Sequence, residues 1–309
     1  MAYFGMNTRL NIPLSVFLNT FYQGFGRIVA TLLGLLTTII LARYLGVIGF
    51  GQLGIVFAYL ALAGTFADFG LGTILTRELA KGEKRTSFVH TIISLRLLIS
   101  VVVLAIFSVI ALFLPYPREV VLGIVIYSFG SFFLLAYNMI SAVFQAKLTM
   151  QKHVFAQITG NLITLLIVLF GVTQGLPFLF IVTAYVIGSL STLLSGLLML
   201  REKLRFRLAF SEYRKLLVHS LPFFFSSVLA VLYWRVDTII LSFFKNPQTL
   251  PDVGIYTASY RIFEVFVLFG TFFANALLPI LARRVHNRDF TRISLEAFIL
   301  SIVGGVLAI

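Results

Sequence analysis

Five ionisable side chains lie inside long apolar stretches of this sequence, and their chemistry gives the most information about function. They are Arg27, Arg235, Asp237, Arg261 and Glu264. A charged side chain is costly in hydrocarbon, so such residues usually face a cavity or pair with a partner. Arginine suits phosphate or acidic sugar groups, because its planar guanidinium forms two parallel hydrogen bonds and stays protonated. The three arginines therefore predict a cationic binding site, and the two carboxylates are candidates for exchange of H⁺ or Na⁺.

The spacing of these residues also allows a purely structural interpretation. Asp237 lies near the end of one apolar stretch and Arg261 near the start of the next, both about 10 Å from the same end of an antiparallel pair. Arg261 and Glu264 are three residues apart and share a helix face, whereas Arg235 and Asp237 point about 160° apart. Arg27, near the middle of its stretch, either joins a binding site or bonds helix carbonyls. A structural ion-pair cluster, a substrate site and an ion-coupling site all stay open.

Two further ionisable residues are interpreted as structural. Asp68 is expected to cap or bend the chain at the end of an apolar stretch, with Arg77 as its partner. Arg96 lies early in the next stretch and is expected to extend its guanidinium to the membrane surface. Candidates for stacking on sugars are Tyr59, Tyr127, Tyr137, Tyr233, Trp234 and Tyr260. Packing between membrane helices uses the same aromatic residues, so that interpretation stays open as well.

The composition shows what surrounds these residues. Of the 309 residues, 60% are hydrophobic and 11% are charged, whereas a soluble domain averages about 45–50% apolar and roughly 25% charged. The excess of apolar side chains indicates a chain whose surface faces lipid. The absence of cysteine excludes disulfides, thiolate metal sites and cysteine nucleophiles. The four histidines lack ligand spacing and no Walker motif occurs, so we predict neither a cofactor nor an enzyme.

Eight apolar stretches are long enough to cross a membrane as helices, which takes about 20 residues. They cover residues 17–41, 51–71, 90–114, 119–144, 154–173, 177–200, 217–243 and 253–281. The first is too long to be the core of a signal peptide. A further stretch, 293–309, is shorter and ends with the sequence. The predicted fold is an all-α polytopic membrane protein with eight full transmembrane helices and a partial ninth.

Basic residues alternate in number between successive connections. The connections after the even-numbered stretches carry sixteen Lys and Arg residues, and those after the odd-numbered stretches carry three, Arg43, Arg118 and Lys245. Cytoplasmic loops are enriched in Lys and Arg, so the even-numbered connections and the N-terminus are predicted to be cytoplasmic. This asymmetry accounts for most of the net charge of +13, and a nucleic-acid partner is therefore not predicted.

Short segments recur in the two ends of the sequence at offsets of 200 to 206 residues. The matched pairs are 37–41 with 237–241, 64–66 with 270–272, and 74–77 with 280–283. In this match the seventh span corresponds to the first, so the repeat unit has six spans. Because six is an even number, both units have the same orientation in the membrane. We therefore predict a six-helix N-lobe, residues 1–215, and the start of a parallel-repeat C-lobe, residues 216–309. Transporters built from such repeats bind substrate between the halves.

Two groups of motifs resemble a known family. The first group is LARYLG (41–46), FG (50–51), ADFGLG (67–72) and LTREL (75–79). The second group is SLP (220–222), RVDTIIL (235–241), VGIY (253–256) and LP (278–279). Together they are similar to the Wzx-type O-antigen and capsule polysaccharide flippases of the multidrug/oligosaccharidyl-lipid/polysaccharide exporter superfamily. The resemblance covers both ends of the chain, and the middle matches in helix count.

The resemblance implies an ion-coupled transporter that flips an undecaprenyl-diphosphate-linked oligosaccharide to the outer leaflet of the bacterial inner membrane. Its implied partners are this lipid, membrane lipids, a polysaccharide polymerase and glycosyltransferases. On this view Arg27, Arg235 and Arg261 bind substrate, and Asp237 or Glu264 couples the ion. Family members have twelve or more spans, so we expect the chain to be C-terminally truncated. The alternatives are an exporter of lipid II or a drug, and a non-functional fragment.

Overall fold

The structure, a computed structural model, describes residues 12–80, 86–147, 149–200, 207, 209–244, 249–261, 263 and 264. These residues are almost entirely helical, as predicted. The helices are α1 (Ile12–Asp68), α2 (Leu71–Ala80), α3 (Thr86–Phe113), α4 (Arg118–Ala146), α5 (Met150–Thr173), α6 (Phe178–Met199) and α7 (Phe210–Ser242). A further helix, α8, begins at residue 249 and is described to residue 264.

Helix α1 consists of two membrane-crossing segments joined at Gly46. Its apolar part, Tyr22–Asp68, has 47 residues, which is about 70 Å of helix and more than twice the roughly 30 Å of a bilayer core. Gly46 leaves the helical conformation, with φ 63° and ψ −175°, which glycine adopts without a steric penalty. We call residues 12–45 α1a and residues 47–68 α1b; they correspond to the first two predicted spans.

The next five predicted spans correspond to α3 to α7, with small differences at their ends. Pro117 and Pro177 directly precede α4 and α6, where the fixed φ of proline favours a helix start. Gly175, with φ 65°, reverses the chain between α5 and α6. Of the described residues, six helices are long and apolar enough to cross a membrane, and α1 crosses twice because of its break.

Helix α2 replaces part of a connection that we predicted to be a loop. The turn before it uses Phe69 and Gly70, with φ 49° and 70°. Helix α2 is amphipathic, because Leu71, Ile74 and Leu75 are buried against α3 and α7 while its other side is polar. A short segment with two polar residues per turn does not resemble a membrane span, and only its packing partners make the helix stable.

The long helices run alternately between two ends of one bundle. The basic end carries the turn at 69–70, the α4–α5 connection, the end of α6 and the start of α7, and Lys152 Nζ donates there to Met199 O at 3.1 Å. The opposite end carries Gly46 and the turns at 114–117, 174–177 and 243–244. Within the described residues, six basic side chains flank the basic end and two the opposite end. The six are Arg77, Lys147, Lys152, Arg207, Arg214 and Lys215.

Helices α5 and α6 cross closely through two glycines and two threonines. A Cβ added at Gly160 would lie 1.8 Å from Thr192 Oγ1, and one added at Gly188 would lie 1.8 Å from Thr164 Oγ1. Each threonine donates to the carbonyl of the glycine on its own helix at 3.0 Å. Small residues let membrane helices approach in this way, and α6 packs on α4 as well as on α5.

Residues 256–309 belong to a second compact unit, whose described part is 256–261, 263 and 264. The remainder of the eighth predicted span, the partial ninth stretch 293–309 and the matched segments 270–272 and 280–283 lie outside the described residues. The predicted lobe boundary at 215 and 216 therefore stays a prediction.

Candidate functional site

Arg27 lies on α1a close to the basic end, whereas the sequence placed it near the middle of a span. Its neighbour Gly26 packs against Val154, because a Cβ at Gly26 would lie 2.3 Å from Val154 Cγ2. Val154 is in the second turn of α5, about 6 Å from the start of that helix. The Arg27 side chain is exposed, and it has no hydrogen bond or ion pair to any residue that the structure describes. An exposed guanidinium at this depth is available to an anion.

Arg235 and Asp237 lie on α7, and both are half-buried. Asp237 Oδ1 accepts a hydrogen bond from the backbone N–H of Thr238 at 2.7 Å. Asp237 lies five residues before the end of α7 at Ser242, which is about 8 Å and agrees with the predicted depth. Both residues also make interactions beyond that bond, so neither is a free charge.

Arg261 and Glu264 form the i,i+3 pair that their spacing predicts. Arg261 Nη1 donates to Glu264 Oε2 at 3.0 Å, and each side chain is about one-third exposed. This contact supports a structural element in the predicted charge cluster. The pairing of Asp237 with Arg261 would join residues of two separate units and stays a prediction.

A buried ion pair joins Arg96 to Asp68, which corrects two expectations. Arg96 does not extend to the surface: 3% of its side chain is exposed, and its guanidinium is paired with Asp68 Oδ1. The predicted partner Arg77 instead contacts Glu78 at 3.3 Å. The expected cap is present, because Asp68 Oδ2 accepts from Gly72 N at 3.4 Å. The pair could not be predicted from the sequence, because Asp68 and Arg96 lie on different helices and are 28 residues apart.

The turn after α1b packs directly on α7. A Cβ at Gly70 would lie 2.7 Å from Phe224 N and 2.8 Å from Ser220 O, so α7 touches the backbone of this turn. The rings of Phe69 and Phe224 are stacked at 4.5 Å. The two motifs that meet here, ADFGLG and SLP, belong to the two predicted lobes and are about 150 residues apart in the sequence.

A second pair of motifs meets at the opposite end, where α1b crosses α8. A Cβ at Gly51 would lie 2.1 Å from Leu250 O, and one at Gly254 would lie 2.1 Å from Val47 O. We call this reciprocal contact the glycine crossing. Two backbones touch here without side chains between them, which only glycine permits. The FG and VGIY motifs are thus the two halves of one contact.

Side-chain hydrogen bonds hold the same end together. Tyr116 Oη and Ser242 Oγ are 2.9 Å apart, which joins the α3–α4 turn to the end of α7. Burial raises the pKa of Tyr116 above its ordinary value, although the bond to Ser242 opposes this. Gln52 Nε2 donates to Glu119 Oε2 at 3.2 Å, and Tyr44 Oη donates to Leu176 O at 2.7 Å.

Of the six predicted sugar-stacking aromatics, two make structural hydrogen bonds through their hydroxyl groups, and the other four, Tyr127, Tyr233, Trp234 and Tyr260, make ring contacts with neighbouring aromatic residues. Tyr59 Oη donates to Phe107 O at 2.7 Å. Tyr137, which is 2% exposed, lies 2.9 Å from His153 Nδ1, and Ser141 Oγ is equally close to that nitrogen. This cluster fastens the α4–α5 hairpin. No group of three or more potential metal ligands occurs among the described residues.

The described residues combine paired carboxylates with an exposed arginine. The carboxylates of Asp68, Glu78, Glu119 and Glu264 each have a side-chain partner, and Asp252 is exposed near the start of α8. Arg27 is exposed without a side-chain partner in the part of the chain that the structure describes. The planar guanidinium of an arginine is chemically suited to phosphate or carboxylate, because its donors form two parallel hydrogen bonds. The sequence identified Arg27 from its type and depth, but not that it stands at the basic end.

Comparison with family profiles gives a match over most of the chain. A family profile described as "Polysaccharide biosynthesis protein" matches residues 16–285. No curated protein sequence matches the chain.

Several solved structures have the same fold. An inward-facing multidrug resistance MATE family transporter of the MOP superfamily is 16% identical with a TM-score of 0.60, over 77% of this chain and 59% of that one. The MATE multidrug transporter DinF-BH is 14% identical with a TM-score of 0.62, over 100% and 73%. A MOP superfamily transporter from Pyrococcus furiosus, described for the reverse polarity of its binding pocket, is 16% identical with a TM-score of 0.55, over 82% and 60%. The chain thus spans 59% to 73% of their lengths.

Proposed function

This chain belongs to the polysaccharide biosynthesis protein family, and on that premise we propose that it flips a lipid-linked oligosaccharide across the bacterial inner membrane. The substrate class is an undecaprenyl-diphosphate-linked oligosaccharide that moves from the cytoplasmic to the outer leaflet. The observation that carries the proposal is the exposed Arg27 in an exporter fold, because a diphosphate is the anionic part of such a substrate.

The distribution of charge supports the direction of transport. Basic loops stay on the cytoplasmic side of a membrane, so the basic end is assigned to the cytoplasm and the N-terminus with it. Arg27 then lies close to the cytoplasmic entrance, where a newly assembled lipid-linked oligosaccharide would be captured. Arg235 and Arg261 are the proposed further cations along the path.

Ion coupling is the proposed energy source, with Asp237 or Glu264 as the carboxylate. A coupling carboxylate must lose its protein partner when it binds H⁺ or Na⁺. Glu264 meets this requirement through its partly exposed contact with Arg261, which a bound proton would weaken. Partners in the membrane would be the polymerase and glycosyltransferases that use or make the same lipid.

Export of a cationic drug is the second candidate, because DinF-BH, a multidrug transporter, shares the fold. The exposed arginine argues against it, since like charges repel. Lipid II, which carries a diphosphate, would satisfy the same cation and differs in the sugars and peptide of its head group.

The test uses a bacterial strain that lacks its own polysaccharide flippase and expresses this protein from its gene. The readout is the amount of lipid-linked oligosaccharide that reaches the outer leaflet, measured with a membrane-impermeant lectin. Arg27→Ala, Arg235→Ala and Arg261→Ala are compared with Arg43→Ala, which removes an arginine at the opposite end. Hydrogen bonds to charged groups contribute about 1.5–3 kcal/mol, so Arg27→Ala is expected to reduce flipping about 10- to 150-fold.

Normal flipping in all three variants contradicts the cationic site. Resistance to cationic dyes without surface oligosaccharide would favour the drug exporter. Arg27→Lys retains the charge but not the planar fork, and is expected to recover part of the activity.

A further inference from the structure

Helix α4 has exposed side chains on two opposite sides. Leu122 and Phe129, which are 38% and 61% exposed, form an apolar side that contacts lipid. Asn138 is exposed as well, but it lies nine residues after Phe129 and is therefore rotated by about 180° from it. Its sequence neighbours Tyr137 and Met139 are each 2% exposed. Asn138 thus faces a gap between packed helices, where its amide avoids the cost of meeting hydrocarbon.

Three long helices bound this gap, which we call the inner pocket. On one flank, Met139 packs with α2, which follows α1b in the chain. On the other flank, Tyr137 Oη lies 2.9 Å from His153 Nδ1 of α5. Towards the opposite end, α1b reaches α4, because a Cβ added at Gly123 would lie 3.1 Å from Val56 Cγ2. The walls of the inner pocket are therefore α1b, α4 and α5.

Helix α5 adds a second amide at the same depth. Gln157 lies one turn after His153 and is rotated by about 140° from Leu162, which is 43% exposed on the lipid side. Asn138 is about 12 Å from the end of α4 and Gln157 about 10 Å from the start of α5, and both helices terminate there at the basic end. Gln157 is half-buried. Neither amide has a hydrogen bond to any residue that the structure describes.

Helix α1b leaves space opposite these amides. Phe57, Ala61, Gly64 and Asp68 are three or four residues apart and share one face of the helix. Ala61 and Gly64 are half-buried. No described atom lies within 4 Å of a Cβ built on Gly64, so the inner pocket is open at this level.

Three aromatic rings close the far end of the inner pocket. The ring centroid of Phe57 lies 5.0 Å from that of Tyr127 and 4.9 Å from that of Tyr185, so α1b, α4 and α6 meet there. Tyr127 lies on the same side of α4 as Asn138 and about 16 Å further along the helix. All three rings are half-buried. The inner pocket therefore runs about 16 Å from its amides to an aromatic end.

The walls of the inner pocket offer no free cation among the described residues. Asp68, at the basic end of α1b, is paired with Arg96, whose side chain is 3% exposed. His153 Nδ1 lies 2.9 Å from two hydroxyl oxygens of α4. Arg27 belongs to α1a, which is not one of the walls. The groups that remain for a ligand are neutral amides and aromatic rings.

Amides and aromatic rings are suited to an uncharged sugar. The hydroxyl groups of a sugar exchange hydrogen bonds with amides, and the C–H groups on the face of the sugar ring pack against an aromatic ring. Ligand pockets commonly combine apolar walls with a few polar groups that fix orientation. A uronic acid would bring a carboxylate out of water without a cation to pair with it, which is costly.

We propose that the inner pocket binds the sugar part of the lipid-linked substrate and selects neutral sugars over acidic ones. Asn138 and Gln157 bind hydroxyl groups, and the three-ring cluster contacts the sugar that enters furthest. The diphosphate stays near the basic end, where Arg27 is exposed. This inference rests on the proposed function and names the class of sugar that the protein transports.

A matched pair of lipids tests the selection. One is undecaprenyl diphosphate that carries a glucose-terminated disaccharide, and the other has glucuronic acid in place of that glucose, so the two differ by a single carboxylate. Binding to the purified protein in detergent is compared by native mass spectrometry, with undecaprenyl diphosphate as a sugar-free probe. The glucose lipid is expected to bind about tenfold more tightly than the glucuronate lipid, or better. Equal or tighter binding of the glucuronate lipid overturns the proposal.

Substitutions of the two amides connect this preference to the inner pocket. Asn138→Leu and Gln157→Leu each remove a hydrogen-bonding group, so the glucose lipid is expected to bind about 2- to 12-fold more weakly, while binding of undecaprenyl diphosphate is unchanged. Gln151→Leu removes an exposed amide on another side of α5 and is the matched control. Asn138→Lys supplies a cation and is expected to strengthen binding of the glucuronate lipid about 10- to 150-fold. The same loss in Gln151→Leu, or no response to Asn138→Lys, contradicts the pocket.

The natural absence of cysteine allows the inner pocket to be probed directly. Asn138→Cys and Gly64→Cys place a thiol in the pocket, and Leu162→Cys places one on the lipid side of α5. In nanodiscs, a small cationic methanethiosulfonate is expected to label the two pocket cysteines about tenfold faster, because a thiol ionises in water and not in lipid. The glucose lipid at about ten times its Kd is expected to slow the labelling of Gly64→Cys about tenfold. Unreactive pocket cysteines, or labelling that the glucose lipid leaves unchanged, refute the inference.

Failure of this inference can be told apart from failure of the proposed function. Normal flipping of an acidic oligosaccharide in cells, together with equal binding of the two lipids, contradicts the selection alone. A pocket that binds the glucose lipid, in a protein that flips no lipid-linked oligosaccharide, contradicts the proposed function alone.

Discussion

Replacing Gly51 by alanine is expected to part α1b from α8 at the glycine crossing. The added Cβ would lie 2.1 Å from Leu250 O and 3.0 Å from Gly254 N, and both are backbone atoms that no rotamer change can move. A carbon and an oxygen in contact are about 3.3–3.6 Å apart, so the helices must separate by roughly 1 Å or more. Overpacking of this kind costs about 1–3 kcal/mol, which corresponds to a 5- to 150-fold change in the ratio of open to closed crossing.

A cysteine beside the crossing measures that ratio directly. Thr249 is 8% exposed, and Thr249→Cys would be the only cysteine in the protein. Its rate of reaction with a hydrophilic thiol reagent is expected to rise 5- to 150-fold when Gly51→Ala is added. Gly64→Ala is the matched control, because no described atom lies within 4 Å of its added Cβ. Both substitutions gain about 1 kcal/mol of helix propensity, so only the crossing distinguishes them.

Two results would refute this reasoning. One is an unchanged reaction rate in Gly51→Ala, and the other is an equal increase in Gly64→Ala. Gly254→Ala is a second arm, since its Cβ would lie 2.1 Å from Val47 O on the other side of the same contact. The double variant is expected to be less than additive, because each substitution opens one shared crossing.

Three further predictions concern stability and are measured by thermal unfolding in detergent. Arg96→Met leaves Asp68 without its cation and is expected to lower the free energy of unfolding by about 3–5 kcal/mol. Adding Asp68→Asn to Arg96→Met is expected to recover most of this loss. A larger loss in the double variant contradicts the pair. Gly160→Ala places a Cβ 1.8 Å from Thr192 Oγ1 and is expected to lower the free energy of unfolding by about 1–3 kcal/mol. The control is Gly24→Ala, whose Cβ meets no described atom within 4 Å. Similar effects at both sites contradict the close contact of α5 with α6. Tyr116→Phe removes the 2.9 Å bond to Ser242 and is expected to cost about 0.5–1.5 kcal/mol; a further, fully additive loss from Ser242→Ala contradicts a direct bond.

The spans could be predicted because hydropathy is a local property. The stretches 119–144 and 177–200 agree with α4 and α6 to within a few residues. The prediction failed at α2, which has too few apolar residues for a span and becomes helical by burying Leu71 and Leu75 against its neighbours. The join of the first two spans through Gly46 was likewise missed, because one non-helical residue leaves no mark on average hydropathy.

The candidate site shows the same division. Arg27 could be selected from the sequence because an arginine in an apolar stretch is unusual wherever the helix ends. The closeness of Arg27 to the basic end could not be predicted from the sequence, since it depends on where α1a lies along α5. The prediction that Arg77 is the partner of Asp68 was wrong for a related reason. Arg77 lies near Asp68 in the sequence, but Arg96 lies near it in space.

Hydropathy and charge along the sequence are sufficient to predict a multi-spanning helical membrane protein with strong charge asymmetry. Hydrophobicity and charge are properties of single residues, so they can be used without knowing which residues are neighbours in space. The three-dimensional structure was needed to show that Gly51 meets Gly254 and that Asp68 pairs with Arg96. Those features depend on the rotation and depth of each helix relative to others far away in the chain, which pairwise packing fixes and composition does not.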